Sequence, residues 1–210
     1  IEKINADKSI HGCLLFRPLP RQFDDRTIRA ALAPEKDIDG ITDGSLAGVF
    51  TNTALGYPPC TAQACLEILK YYDIPLSGKR AVVVGRSMVV GRPLSMLFLK
   101  ENATVTVCHT KTADLKAVCR EADILVAAAG KAGMISGEFV KPGAVVADVG
   151  INVDENGALK GDVEWDGLEA AAAAAATPVP GGVGSVTTAV LCRHLAEAAM
   201  RKYGAEQAQN

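Results

Sequence analysis

Three stretches of the 210-residue chain hold residue types at spacings that can do chemistry. The first runs Ala81-Val-Val-Val84-Gly85-Arg86-Ser87 and on to Gly91, an apolar strand delivered into a glycine turn and then a helix. Such a turn leaves free backbone N–H groups at a helix N-terminus, where a diphosphate is favoured. The spacing departs from G-x-G-x-x-G, so the generic dinucleotide fingerprint is met only in part. In NAD-specific domains a carboxylate ends the second strand and takes the ribose hydroxyls. Here that strand ends Val107-Cys108-His109-Thr110-Lys111 without one. Taken singly, Arg86 and Ser87 are a surface arginine and a turn serine. Together they can hold a 2′-phosphate by charge and hydroxyl donation, which favours NADP over NAD.

The second stretch is Thr177-Pro-Val-Pro-Gly-Gly-Val-Gly184. Its prolines fix φ and remove donors, and its glycines leave the main chain bare. It reads as a shaped loop rather than a helix or central strand, either an ordinary interdomain turn or a surface on which a flat ligand lies against backbone. The third is Lys36-Asp37-Ile38-Asp39-Gly40. Two aspartates beside a glycine usually make a solvated turn. The sharper option is that one carboxylate accepts two hydrogen bonds from a planar, amidine-like ligand edge.

The elements around these stretches alternate in type. Gly12–Phe16 reads as a buried strand, 24–33 as a helix stopped by Pro34, and Thr61–Tyr72 as a helix with Thr61 as its cap. Beyond Lys79, apolar strands at 81–84, 103–107, 123–127 and 144–148 alternate with helices near 91–100 and 114–120. Runs this uniformly apolar, separated by helices, predict a doubly wound parallel sheet covered on both faces. The alanines at 170–176 suit either a helix or a small-residue segment leading into the Pro-Gly loop. A last helix is expected over 186–203, with a frayed tail after Gly204.

The net charge is −2, from 22 basic and 24 acidic residues, which gives no reason to expect a nucleic-acid or anionic-membrane partner. No apolar run approaches a membrane span, and no signal peptide opens the chain. The six cysteines (Cys13, Cys60, Cys65, Cys108, Cys119, Cys192) form no C-x-x-C pair and read as core residues in a reducing, cytoplasmic setting. No metal site is expected. The chain starts Ile1-Glu-Lys-Ile-Asn5, without methionine or helix cap, which reads as the tail of a helix whose start lies outside the sequence.

Taken together, several blocks resemble the bifunctional methylenetetrahydrofolate dehydrogenase/methenyltetrahydrofolate cyclohydrolase family. They are Pro34-Glu-Lys-Asp-Ile-Asp-Gly40, Pro59-Cys-Thr61, Val84-Gly-Arg-Ser-Met-Val-Val-Gly-Arg-Pro93, Asn102–Thr110, Val140–Asn152, Gly161-Asp-Val163 and the Thr177–Gly184 loop. The resemblance implies two α/β domains around a cleft, the second a Rossmann-type parallel sheet. Residues 1–60, completed by the helix 186–210, would form the folate domain, and 61–185 the NADP domain. It further implies that Asp37 holds the pterin ring, that Leu15, Phe16 and Arg17 contact the substrate, and that Pro180, Gly181, Gly182, Val183 and Gly184 line its pocket. Gly85, Arg86, Ser87, Thr110 and Ile151 would contact NADP. Tetrahydrofolate one-carbon derivatives are the implied ligands, and a homodimer the implied assembly.

Three departures from the family pattern bear on this expectation. The family's catalytic lysine lies upstream of the equivalent of Ile1. Phe16 stands where the family has the glutamine that assists that lysine, and it can neither donate nor accept a hydrogen bond; Arg17 offers a charge in its place. Ser185 replaces the usual proline after the glycine loop, a change with no evident functional translation. The dehydrogenase expectation is therefore firmer than the cyclohydrolase one. The competing expectations are a shorter, non-catalytic nucleotide-binding homologue and an unrelated shikimate-type dehydrogenase on the same fold.

Overall fold

The protein is described by a computed structural model covering residues 1–207, with side chains through Arg201. The chain divides into two compact units, residues 1–60 with 188–210, and residues 61–187.

The second unit is built on five parallel strands: β1 (Arg80–Val84), β2 (Thr104–Cys108), β3 (Ile124–Ala127), β4 (Val145–Asp148) and a strand at Ala175–Ala176. Their spatial order is β2-β1-β3-β4 and then the Ala175–Ala176 strand. β1 pairs with β2 through Ala81↔Val105 and with β3 through Ala81↔Ile124. The chain thus builds outward from β1 first to one side and then to the other, which puts the topological switch point between β1 and β3. Buried runs such as Ala81–Val84 and Ile124–Ala127 explain this architecture, because only a sheet covered on both faces hides every side chain of a strand. Helix α5 (Gly91–Lys100) returns from β1 and buries Leu94, Leu97 and Phe98, at helical spacing.

The alanine run resolves its two readings in favour of the small-residue segment. A short helix ends at Ala170, Ala172 takes a left-handed φ of 53°, and Ala175–Ala176 pair with β4. Pairing to β4 overrides helix propensity. Two further strands were not anticipated: Asn152–Val153 and Leu159–Lys160 form a small antiparallel hairpin. In chain order these are β5 and β6, and Ala175–Ala176 is β7. The helix Asp166–Ala170 is α7, and α6 is Leu115–Cys119.

The first unit contains α1 (Glu2–Ala6), α2 (Asp25–Ala31), α3 (Asp43–Thr51) and most of α8 (Val183–Gln207), while α4 (Cys60–Tyr71) begins at its boundary. Asp24 caps α2 by accepting from the N–H groups of Arg26 and Thr27. The strand expected at Gly12–Phe16 makes only one parallel bridge, Cys13 to Asp37, because the partner backbone turns away at Gly40. Buried Lys36 donates its amine to the carbonyls of Ile4, Asn5 and Asp7, satisfying the C-terminal end of α1. Ile38, Tyr57 and Ala198 form the core there, with Leu14 and Leu191 packed against them.

Three boundaries differ from expectation. α4 starts at Cys60, so Thr61 lies inside its first turn rather than capping it. α8 starts at Val183, so the last two residues of the glycine loop are helical. α8 also continues to Gln207, past the predicted fraying at Gly204, and the end of that tail lies outside the described residues.

Candidate functional site

In the second unit, the residues expected to contact a dinucleotide all sit beyond the carboxyl ends of strands. Gly85 follows β1, and its N–H donates to the Cys108 carbonyl at 2.9 Å. Its φ is 135°, and a Cβ there would collide with the Ala128 carbonyl just past β3. A Cβ on Gly91 would likewise strike the Gly85 carbonyl. Only glycine allows the first turn to lie this close to the neighbouring strand and to its own helix. Arg86 and Ser87 are exposed in that turn, and Ser87 Oγ accepts from the Val90 N–H at 3.1 Å. Thr110 is exposed just past β2, and Ile151, 66% exposed, just past β4.

The turns after β3 and β4 are fastened by two buried aspartates that sequence reasoning did not assign. Asp148 accepts from the N–H groups of Gly150, Asp162 and Val163. Asp162 is fully buried and accepts from the N–H groups of Ala129, Gly130 and Lys131 and from Asn152 Nδ2. Burial raises the pKa of Asp148, its backbone donors oppose that, and the Asp162 carboxylate adds to it. The available signal was glycine: a Cβ on Gly161 would enter the Asp148 carboxylate, and one on Gly150 the Asp162 carboxylate. Thr177 Oγ1 accepts from the Asp148 N–H at 2.8 Å, tying the start of the Pro-Gly loop to the same network. Pro180 and Gly181 are exposed, Gly182 and Val183 are buried, and Gly184 is exposed in the first turn of α8. An apolar cavity of about 520 Å³ lies beneath this loop, walled by Leu69, Tyr72, Val146, Ala176 and Gly182 among others.

In the first unit, the two aspartates stand in different surroundings. Asp37 is 0% exposed, not a solvated turn residue. Its Oδ1 accepts from the Ile41 N–H at 3.1 Å, and its Oδ2 from the Thr42 N–H and Ser45 Oγ, both at 2.7 Å. These three donors make the Asp37 carboxylate the organiser of the turn into α3 and shut it off from solvent. Asp39 is only partly buried. Burial raises its pKa; the thiol and N–H of Cys60 pull it down, Asp37 pushes it up, and the charge of Arg17 lowers it.

Leu15 is partly buried and Phe16 is 83% exposed. Arg17 is not a free charge. Its Nε and Nη2 donate to the Asp25 carboxylate at 2.8 and 2.9 Å, and Arg29 joins the same acceptor at 3.0 Å. Arg17, and to a lesser extent Arg29, hold Asp25 below the usual carboxylate range.

A covered parallel sheet with a glycine turn at its switch point, free of a carboxylate at the end of β2, has the architecture of a dinucleotide-binding α/β protein. Residues 59–203 match the NAD(P)-binding domain of tetrahydrofolate dehydrogenase/cyclohydrolase, and residues 1–39 match its catalytic domain. The chain belongs to the tetrahydrofolate dehydrogenase/cyclohydrolase family. It is 57% identical over 200 residues to the bifunctional protein FolD of Carboxydothermus hydrogenoformans, covering 94% of this chain and 69% of that one. Among solved structures, the bifunctional FolD of Campylobacter jejuni superposes with a TM-score of 0.92 at 38% identity, over 95% of this chain and 71% of that one. The Trypanosoma brucei enzyme, crystallised with NADP cofactor and inhibitor, gives a TM-score of 0.87 at 35% identity, over 96% and 70% of the two chains.

Proposed function

We propose that this chain oxidises 5,10-methylenetetrahydrofolate to 5,10-methenyltetrahydrofolate with NADP and hydrolyses that product to 10-formyltetrahydrofolate. The observation that carries the reading is the carboxyl edge of the second unit. There the Gly85–Ser87 turn stands at the switch point, and β2 ends in His109-Thr110-Lys111 with no acid to repel a phosphate.

The residues present fit the cofactor. The tight Gly85/Gly91 turn carries the chain from β1 into a helix N-terminus, where a diphosphate is favoured, and exposed Arg86 and Ser87 are available to a 2′-phosphate. When bound, NADP supplies the hydride acceptor. The protein's part in that step is positioning, worth several kcal/mol when reacting atoms are held at attack distance. Asp39 is the carboxylate of the first unit placed to accept from the planar amidine edge of the pterin. Loss of hydride from the methylene bridge leaves a cationic, amidinium-like carbon. Water adds to that carbon, the bond to one ring nitrogen breaks, and that nitrogen gains a proton.

A cytoplasmic homodimer is the setting that best suits the chain. All six cysteines are free, as a reducing compartment would leave them. Exposed Val153, Leu159 and Trp165 on and beside the β5–β6 hairpin give a second copy an apolar surface to cover.

The test is NADPH formation from 5,10-methylenetetrahydrofolate, followed by decay of the methenyl product. NADP-dependent turnover is expected; its absence with NADP and presence with NAD would overturn the cofactor assignment. Phe16→Gln is expected to speed methenyl decay by about tenfold, a fraction of the roughly 10²–10⁴-fold available to proton-transfer assistance. Unchanged decay would remove Phe16 as the limiting feature of the hydrolytic step.

A further inference from the structure

Asp39 is held from behind by groups that the chemistry above leaves unused. The carbonyl of Ile38, one peptide before it, accepts from the Cys60 thiol at 3.2 Å and lies 2.9 Å from His194 Nδ1. Cys60 Sγ and His194 Nδ1 stand 3.5 Å apart, so the three groups close a small triangle. A carbonyl can only accept, which puts a proton on Nδ1. Burial lowers the pKa of His194, which keeps the ring neutral and its Nε2 bare. The ring lies 4.9 Å from that of Tyr57, and the charges nearest it, Glu197, Arg193 and Arg201, are all on α8.

A cysteine beside a histidine at the start of a helix suggests a nucleophile. Here burial, Asp39 and Asp37 all push the thiol pKa far above its ordinary value. Cys60 is therefore an inert proton donor. Its one proton goes to the Ile38 carbonyl, on the peptide that leads into Asp39, and the same thiol lies close enough to the Asp39 carboxyl to lower its pKa.

We propose that Cys60 and His194 are positioning residues for folate recognition: together they pin the Ile38 carbonyl and so aim the Asp39 carboxylate at the pterin edge. The inference rests on the reading of Asp39 given above. It assigns a positioning role to two buried side chains that the proposed chemistry leaves unused.

The experiment measures KM and kcat for 5,10-methylenetetrahydrofolate and the Kd for NADP in the intact protein. It compares Cys60→Ala with Cys60→Ser, and His194→Phe with His194→Asn, since serine and asparagine each keep a donor near the original atom. Alanine and phenylalanine are expected to raise KM about five- to tenfold with smaller effects on kcat and none on NADP, as for one lost hydrogen bond. Serine and asparagine should recover most of the loss. In Cys60→Ala the pH at which folate affinity is half developed should also rise, because a donor that lowers the Asp39 pKa is gone. Equal losses within each pair, or an unmoved KM and pH midpoint, would overturn the proposal. Asp39→Asn separates the two levels. If it weakens folate binding while the Cys60 and His194 variants do not, the positioning role alone fails; if Asp39→Asn has no effect, the reading of Asp39 falls with it.

Discussion

Asp148 Oδ1 accepts the backbone N–H of Asp162 at 2.9 Å, so one buried aspartate sets the place of another. Asp162 then gathers the N–H groups of Ala129, Gly130 and Lys131 at 2.6, 2.8 and 2.8 Å. A glycine-containing loop at the switch point is thereby given a fixed shape by carboxylates rather than by packing. Unpaired N–H groups there would each carry a desolvation cost, which makes the cluster a stringent one.

Asp162→Asn should therefore weaken NADP binding and lower stability together. The amide keeps only one acceptor atom and turns a donor toward other donors. A loss of about 1–3 kcal/mol is expected in denaturant unfolding. An Asn variant with wild-type stability and NADP affinity would show that the loop holds its shape unaided.

Arg86→Ala should reduce NADP affinity by about 1.5–3 kcal/mol, the range for a hydrogen bond to a charged group, and leave NAD affinity nearly unchanged. Calorimetric titration with both dinucleotides reads the difference directly. Equal losses for the two would place Arg86 away from the 2′-phosphate.

Asp37→Asn should behave as a folding lesion. Two backbone N–H groups and the Ser45 hydroxyl all donate to this carboxylate, and an amide cannot receive them all. Stability should fall by about 1–3 kcal/mol. Folate affinity, measured well below the melting temperature, should change less than in Asp39→Asn. The reverse ranking would restore Asp37 as the ligand.

His194 gives a pH dependence with a definite sign. Its folded pKa lies below 6.5, so under acid conditions the unfolded chain binds more protons than the native one. The neutral buried ring therefore contributes fully above pH 6.5, and its contribution is lost as pH falls from there toward the folded pKa. Melting curves across that interval should be less pH-sensitive in His194→Asn. An identical slope in the two proteins would mean that another group governs the transition.

The sheet was legible because β3 is wholly apolar and β1 and β4 are apolar but for Arg80 and Asp148 at their ends, and only one architecture hides such strands. β7 was ambiguous because alanine commits to neither helix nor strand, and its choice is made by β4, far away in sequence. Asp37 was misjudged for a related reason. Asp-Ile-Asp-Gly has the composition of a surface turn, and nothing in the residue types reveals that the N–H groups of Ile41 and Thr42, just before α3, turn onto the first aspartate. Asp148 and Asp162 left a fainter trace in Gly150 and Gly161, whose missing side chains make space for the carboxylates. His194 left none, since a lone histidine on a helix gives no sign of the carbonyl it will meet.

The brevity of β7 has a consequence for how the sheet ends. Ala175 and Ala176 satisfy β4, and the chain then passes through Thr177 into Pro178 and Pro180, which have no N–H to offer. An incoming strand would find almost no ladder to extend on that side. Side chains as small as methyl groups would also give it little to grip. The Pro-Gly segment thus blunts a sheet edge against self-association and fibre growth.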